Sequence, residues 1–219
     1  MYFRDRHDAG RQLANALGPW REENPILLAL PRGGVVVAYE VACRLDATLR
    51  ILVARKLGAP ANPEFGFGAI APGPARYLDP SSVELLHLSD ADIQDIEQAQ
   101  RRELDRRRRL YDADHAPGEL RDRTAIIIDD GLATGVTAQA AVRSARLDLP
   151  RRVILAVPIA PADAPDRFQG VVDHFVCPHL EHALSSIGQW YERFDQTTDD
   201  EVLALLQARR EQIGQEQPP

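Results

Sequence analysis

Asp129 and Asp130 close the apolar run Ile126-Ile127-Ile128, and Gly131-Leu132-Ala133-Thr134-Gly135-Val136-Thr137 follows them directly. Adjacent carboxylates suit hydroxyl groups and a hydrated Mg²⁺, because both take oxygen acceptors. The small-residue loop suits a different group. A strand feeding such a loop, with the helix-forming segment 138–145 behind it, builds an anion cradle. Backbone N–H groups converge there, and the helix N-terminus carries partial positive charge. Thr134 and Thr137 add hydroxyls for phosphate oxygens, while Gly131 and Gly135 permit positive φ or close backbone approach. A phosphorylated sugar with free hydroxyls and a metal satisfies all of these groups together. The plainer alternative is a strand end with two solvated aspartates and an ordinary turn. A Walker A loop is excluded, since no Gly-Lys-Ser/Thr is present.

The surrounding chain alternates between strand and helix signals. Residues 3–17 have helical spacing and stop near Gly18-Pro19. Residues 25–30 read as a short buried strand, 31–34 as a loop and 35–45 as a helix despite its β-branched start. Residues 49–54 read as a second strand. Residues 58–74 are rich in Gly, Pro and Ala, which excludes a helix and suggests a hairpin with a loop. Within it, 58–71 is a candidate lid, with an ordinary surface loop as the alternative. Ser89 reads as the N-cap of a helix reaching about Tyr111. The arginines at its end (Arg101, Arg102, Arg106 to Arg109) read as a solvated face near a helix C-terminus rather than a nucleic-acid surface. Residues 124–128, 152–157 and 171–176 are strands, the motif helix extends to about Leu147, and 199–213 form a last amphipathic helix. This order points to an α/β fold with a parallel sheet, helices on both faces, and ligands at the carboxyl ends of the strands.

The 219 residues are read as a single domain, with a core at about 20–177, peripheral or hood elements at 1–19 and 178–213, and a frayed tail at 214–219. No apolar run approaches the roughly 18 residues of a membrane helix. Residues 1–6 lack the apolar stretch of a signal peptide, and two cysteines, Cys43 and Cys177, are too few for a disulfide framework. A cytoplasmic location is therefore expected. The net charge of −7 argues against general nucleic-acid binding.

Residues 126–137 resemble the phosphoribosyl-pyrophosphate (PRPP) loop of the type I phosphoribosyltransferases. Leu30-Pro31-Arg32-Gly33-Gly34 follows the first core strand, where that family has its pyrophosphate loop. Arg55-Lys56 follows the second, where the family often has basic residues. Phe3-Arg-Asp-Arg6 and Gly188-Gln-Trp-Tyr191…Phe194 resemble a subgroup whose acceptor is unassigned. The resemblance implies a Rossmann-like core with a small hood, and a Mg²⁺-dependent transfer of 5-phosphoribosyl from PRPP to a nitrogenous base or similar small acceptor, with release of pyrophosphate. A non-catalytic PRPP sensor is the alternative. It implies that Asp129 and Asp130 hold the ribose hydroxyls, directly or through Mg²⁺. It assigns the 5′-phosphate to the loop 131–137, chiefly the N–H groups of about Ala133 to Thr137. Arg32, Gly33 and Gly34 would cradle pyrophosphate, and Arg55 or Lys56 would neutralise it as it leaves. Taken alone, Arg-Gly-Gly is more often a turn and Arg-Lys more often surface. A homodimer is common among similar proteins.

Two departures stand out. Members acting on 6-oxopurines carry an acid where this chain has Ala133, which counts against hypoxanthine or guanine as acceptor; Glu64 is a speculative substitute. Asp122 stands where a Gly commonly precedes the strand. Cys177-Pro178-His179-Leu180-Glu181-His182 reads as a loop rather than a metal site. Trp190, Tyr191 and Phe194 read as core anchors, with stacking on a base as the alternative.

Overall fold

A computed structural model describes residues 3–113 and 118–216, with the side chains of Glu64, Gln215 and Glu216 outside the description. The centre is a five-stranded parallel sheet of β1 (Ile26–Ala29), β2 (Thr48–Ile51), β6 (Thr124–Ile128), β7 (Arg152–Ala156) and β9 (His174–Val176), in the order β2-β1-β6-β7-β9. Every residue of β1 and β6 is buried. Strands apolar on both sides need cover on both faces, and helices provide it. On one face, Leu13 of α1 (Arg6–Ala16), Val37 and Val41 of α2 (Gly33–Leu45) and Val202 of α7 (Asp199–Glu216) pack with Ile126 and Ile128. On the other, Ala138 and Val142 of α5 (Val136–Arg146) and Phe168 of α6 (Ala164–Phe168) pack with Ile127 and Leu155. The β-branched start of α2 is tolerated because Val35, Val36 and Val37 are all buried, and packing outweighs their weak helix propensity.

Beside this core lies a three-stranded antiparallel sheet, β3 (Arg55–Ala59), β4 (Asn62–Ile70) and β5 (Arg76–Leu78). The expected hairpin is β3–β4. The candidate lid shrinks, because residues 66–71 are buried, with Ala69 and Ala71 clustered against Val136 and Ala140 of α5. The helices α3 (Pro80–Leu85) and α4 (Asp90–Leu110) follow, and Ser89 and Asp92 form a reciprocal capping box at the start of α4. The short strands β8 (Ile159–Pro161) and β10 (His179–Glu181) pair in parallel above the main sheet.

Several boundaries move. The first helix begins at Arg6, capped by Asp5, because Phe3 instead bridges to Tyr191. The strand expected over 171–176 starts at His174. The last helix runs on to Glu216, past the expected fray point, and 217–219 lie outside the described residues. Asp122 adopts φ +58°, the left-handed conformation for which glycine is the usual residue. Among the described residues, no helix is long and apolar enough to cross a membrane.

Candidate functional site

The acidic loop and the glycine loop leave neighbouring strands and interlock. Asp129 and Asp130 follow β6, while Arg32, Gly33 and Gly34 open α2 just after β1, which pairs in register with β6. A Cβ on Gly33 would stand 2.0 Å from Asp130 Oδ2, and one on Gly34 would stand 2.9 Å from the Asp129 Cα and the Ile128 carbonyl oxygen. Any side chain at either position would collide with the acid pair. The Pro31–Arg32 peptide is cis.

Burial pushes the Asp129 carboxyl well above the usual carboxylate range, and the charge of Asp130 adds to the effect. Burial also raises Asp130, against the opposing pull of Arg6. Arg6 Nε donates to Asp130 Oδ2 at 2.7 Å. Asp129 Oδ1 accepts the Asp130 backbone N–H at 2.8 Å. The pair is therefore rich in oxygen acceptors and short of positive charge, a donor set that fits a hydrated divalent cation and hydroxyl donors.

The phosphate-type loop continues from the acids into α5. Leu132 N–H donates to the Ile159 carbonyl at 2.9 Å, and Gly135, at φ +79°, caps the helix. Arg167 of α6 donates to the carbonyls of Thr134 (2.9 Å) and Ala133 (3.3 Å). Those carbonyls are thus turned toward α6, while Ala133 and Thr134 remain exposed and Thr137 half-buried. The first N–H groups of α5 have no acceptor within the helix, as at any helix start. A cavity of about 590 Å³ opens beside them, lined by Phe65, Gly66, Tyr77, Thr134, Val136 and Arg167 among others.

The basic candidates diverge. The stem of Lys56 lies against Gly66, where a Cβ would sit 2.7 Å from Lys56 Cγ and 3.4 Å from Val136 Cγ2; Lys56 thus flanks the start of α5. Arg55 turns away, donating from Nε and Nη2 to Gln100 Oε1 of α4 at 3.1 and 2.9 Å. Arg32 reaches toward α7, with Nη1 3.8 Å from Asp199 Oδ1. Asp199 also accepts the Tyr111 hydroxyl at 2.5 Å, and burial followed by that bond pushes Tyr111 up to about 12.

Sequence reasoning missed Arg6 and Arg167 as members of this cluster. Arg6 stood inside a subgroup marker with no chemistry attached, and nothing near Arg167 marked it. The aromatic segment proves to be packing: Tyr191 is buried beside Phe3 and Phe194, and its hydroxyl donates to the Asp130 carbonyl at 2.6 Å. The 177–182 segment, expected as a loop, carries the short strand β10 over His179–Glu181, with Cys177 Sγ donating to the His179 carbonyl and His179 Nε2 hydrogen-bonded to Gln12 Oε1. Glu64 lies outside the described side chains.

The chain is similar to known proteins over most of its length. Residues 8–176 match the family model of the phosphoribosyl transferase domain. Two Mycobacterium tuberculosis proteins, each named "Putative phosphoribosyl transferase", are 46% identical to the chain over 204 residues, which is 93% of this chain and 46% of each relative. The chain thus spans about half the length of the curated relatives it matches. The crystal structure of TT1426 from Thermus thermophilus superposes with a TM-score of 0.75 at 38% identity, covering 94% of this chain and 98% of that one. The AQ2163 protein of Aquifex aeolicus shares the fold at 15% identity, with a TM-score of 0.52 over 84% of this chain and 78% of its own. With a family match running from α1 through β9 and the acid pair seated at the strand ends, the chain belongs to the phosphoribosyl transferase family.

Proposed function

We propose that this protein transfers the 5-phosphoribosyl group of PRPP to a nitrogenous base or similar small acceptor, with Mg²⁺ and with release of pyrophosphate. The observation that carries the reading is the interlock of Gly33 and Gly34 with Asp129 and Asp130, beside the N-terminus of α5. Three binding elements of different chemistry meet there. The loop 133–137 takes the 5′-phosphate through backbone N–H groups and the Thr134 and Thr137 hydroxyls, with Arg167 holding the carbonyls aside. Asp129 and Asp130 accept from the ribose hydroxyls. Arg32, Gly33 and Gly34 receive pyrophosphate, and Lys56 supplies positive charge from the β3 side.

The acceptor nitrogen forms a bond to the anomeric carbon as the bond to pyrophosphate oxygen breaks. The sugar passes through a transition state with oxocarbenium character. Mg²⁺, when held by Asp129 and Asp130 directly or through water, would offset charge on the diol and the departing pyrophosphate. Residues 60–63, at the exposed turn of the β3–β4 hairpin, are our candidate for the part of the lid that would cover the sugar and exclude water. Ala133 offers no carboxylate to a purine, so the acceptor panel extends beyond 6-oxopurines.

Calorimetric titration with PRPP, with and without Mg²⁺, tests the reading, followed by a panel of bases scored by pyrophosphate release. Mg²⁺-dependent binding with release for one base establishes the transferase and names the acceptor. Binding without release across the panel favours a PRPP sensor. No binding removes PRPP from this site.

A further inference from the structure

The phosphoribosyl reading gives α1 no task, yet its first side chain reaches the centre of the site. Besides its bond to Asp130, Arg6 donates from Nη1 to the Asp195 carbonyl at 2.7 Å, and its guanidinium carbon lies 3.8 Å from the centre of the Phe194 ring. Asp130 is gripped a second time by the Tyr191 hydroxyl on its backbone carbonyl. The ion pair also forms the floor of the glycine turn, since a Cβ on Gly33 would be 2.6 Å from Arg6 Nε. With side-chain exposures of 12% for Arg6 and 17% for Asp130, the pair is largely shielded from water and salt.

We infer that Arg6 is a positioning residue of the phosphoribosyl site: it fixes one oxygen of Asp130 against the Gly33 turn, leaves the other for ligand, and stands as a built-in cation that offsets the charge of the acid pair. The inference rests on the proposed PRPP site. It has two consequences of opposite sign. Removing the guanidinium leaves the acid pair without its internal cation, so a divalent ion binds the ligand-free protein more tightly. The same change frees the Asp130 carboxylate and the glycine turn, so PRPP binds more weakly. General structural damage would weaken both.

The test uses the full chain and the variants Arg6→Gln, Arg6→Lys and Phe194→Leu. Mn²⁺ binding to ligand-free protein is followed by electron paramagnetic resonance, and PRPP binding by calorimetry at saturating Mg²⁺. Arg6→Gln is expected to weaken PRPP binding about ten- to a hundredfold, the usual effect of losing a partner that orients a ligand-binding carboxylate. Mn²⁺ binding should tighten severalfold in the same variant. Arg6→Lys keeps the charge without the planar fork and recovers part of the PRPP affinity. Phe194→Leu removes the ring under the guanidinium and weakens PRPP binding by less, with Mn²⁺ binding held because the charge stays. Parallel loss of both affinities, or unchanged PRPP affinity in a folded variant, overturns the inference. If Arg6→Gln does not fold, Arg6→Lys decides: weaker PRPP binding with Mn²⁺ affinity held supports the role, and loss of both overturns it. Wild-type protein that binds no PRPP overturns the phosphoribosyl reading before any variant is made, and this role with it. Wild-type binding with unmoved variants overturns the role of Arg6 alone.

Discussion

Carboxylates meet arginines in two regions of this molecule, with opposite electrostatic results. At the end of α4, Glu103 accepts from Arg106 Nε at 2.7 Å and Nη2 at 2.9 Å, and from Arg107 Nε at 2.9 Å. Those bonds, Arg106 first, hold its carboxyl down at about 2. At the end of β6, burial lifts both members of the Asp129–Asp130 pair, and Arg6 offsets part of that for Asp130. The arginine-rich helix thus satisfies its own charges in solvent. The acid pair is left short of positive charge at a strand end. Arginine density is therefore a poor guide to function in this chain, and two adjacent carboxyls crowded and buried at the end of the central strand are a better one.

The largest expected effect comes from Gly33→Ala. Its Cβ would stand 2.0 Å from Asp130 Oδ2, so either the turn or the acid must move. Overpacking of this kind costs about 1–3 kcal/mol, visible as a lower melting temperature, and PRPP binding should be lost. A variant with wild-type melting and affinity would show that the two loops do not depend on each other.

Asp130→Asn keeps the shape and removes the charge. Mg²⁺-dependent PRPP binding should fall roughly a hundredfold, the upper range for a disturbed metal site, with the fold intact by circular dichroism. The paired substitution Glu103→Gln should leave PRPP affinity alone. Equal effects from the two would erase the contrast between the regions.

Next in size is the response to pH, which should have opposite sign in the two regions. A carboxyl raised above its ordinary value favours the protonated folded state. The acid pair therefore supports the ligand-free fold best below the ordinary value of 3.8, and that support declines as pH rises toward the folded values. Glu103 is lowered, so its contribution is full above 4.5 and is lost as pH falls toward about 2. Melting temperatures across pH 2 to 8 check this (roughly the span in which carboxylates and histidines titrate). Asp129→Asn should gain on wild type as pH rises, whereas the deficit of Glu103→Gln should vanish in acid. The same direction of change in both would refute the contrast.

The smallest effects belong to the exposed arginines of α4. Arg102→Ala and Arg109→Ala should each change stability by no more than about 0.5 kcal/mol and leave PRPP binding unchanged in calorimetry. Arg101 differs, because it donates to the carbonyls of Ala71 and Gly73 and ties α4 to the end of β4. Its replacement by Ala should cost about 1 kcal/mol, the net worth of a typical hydrogen bond.

What could be read from the chain followed the range of the interactions involved. The positions of the main-sheet strands along the chain and the acidic loop were legible, because apolar runs and glycine placement are local signals; the order of the strands across the sheet was not among those signals. The tilt of Lys56 toward α5 and of Arg55 toward α4 was not, since adjacent residues of a strand face opposite ways and only the packing partners say which way is inward. Arg6 was out of reach, because its partner lies 124 residues along the chain. The three-residue strands β8 and β10 are too short to show a period. Asp122 is instructive in the other direction: the missing glycine was noticed, and the aspartate simply takes the left-handed turn itself.

The bridge between Phe3 and Tyr191 sets an order of events during synthesis. Phe3 N–H donates to the Trp190 carbonyl, and its own carbonyl accepts from Glu192 N–H, so Phe3 is held by a segment far along the chain that is made after it. The strands β1, β2, β6 and β7 can assemble while the ribosome is still adding residues. Arg6, which precedes them in the chain, must wait for Phe194 and Asp195 before its guanidinium has a resting place. Long-range closure of this kind comes late in folding. A chain interrupted between β9 and Phe194 would hold the strands of the main sheet and the acid pair, but neither the ring nor the carbonyl that seats Arg6 against Asp130.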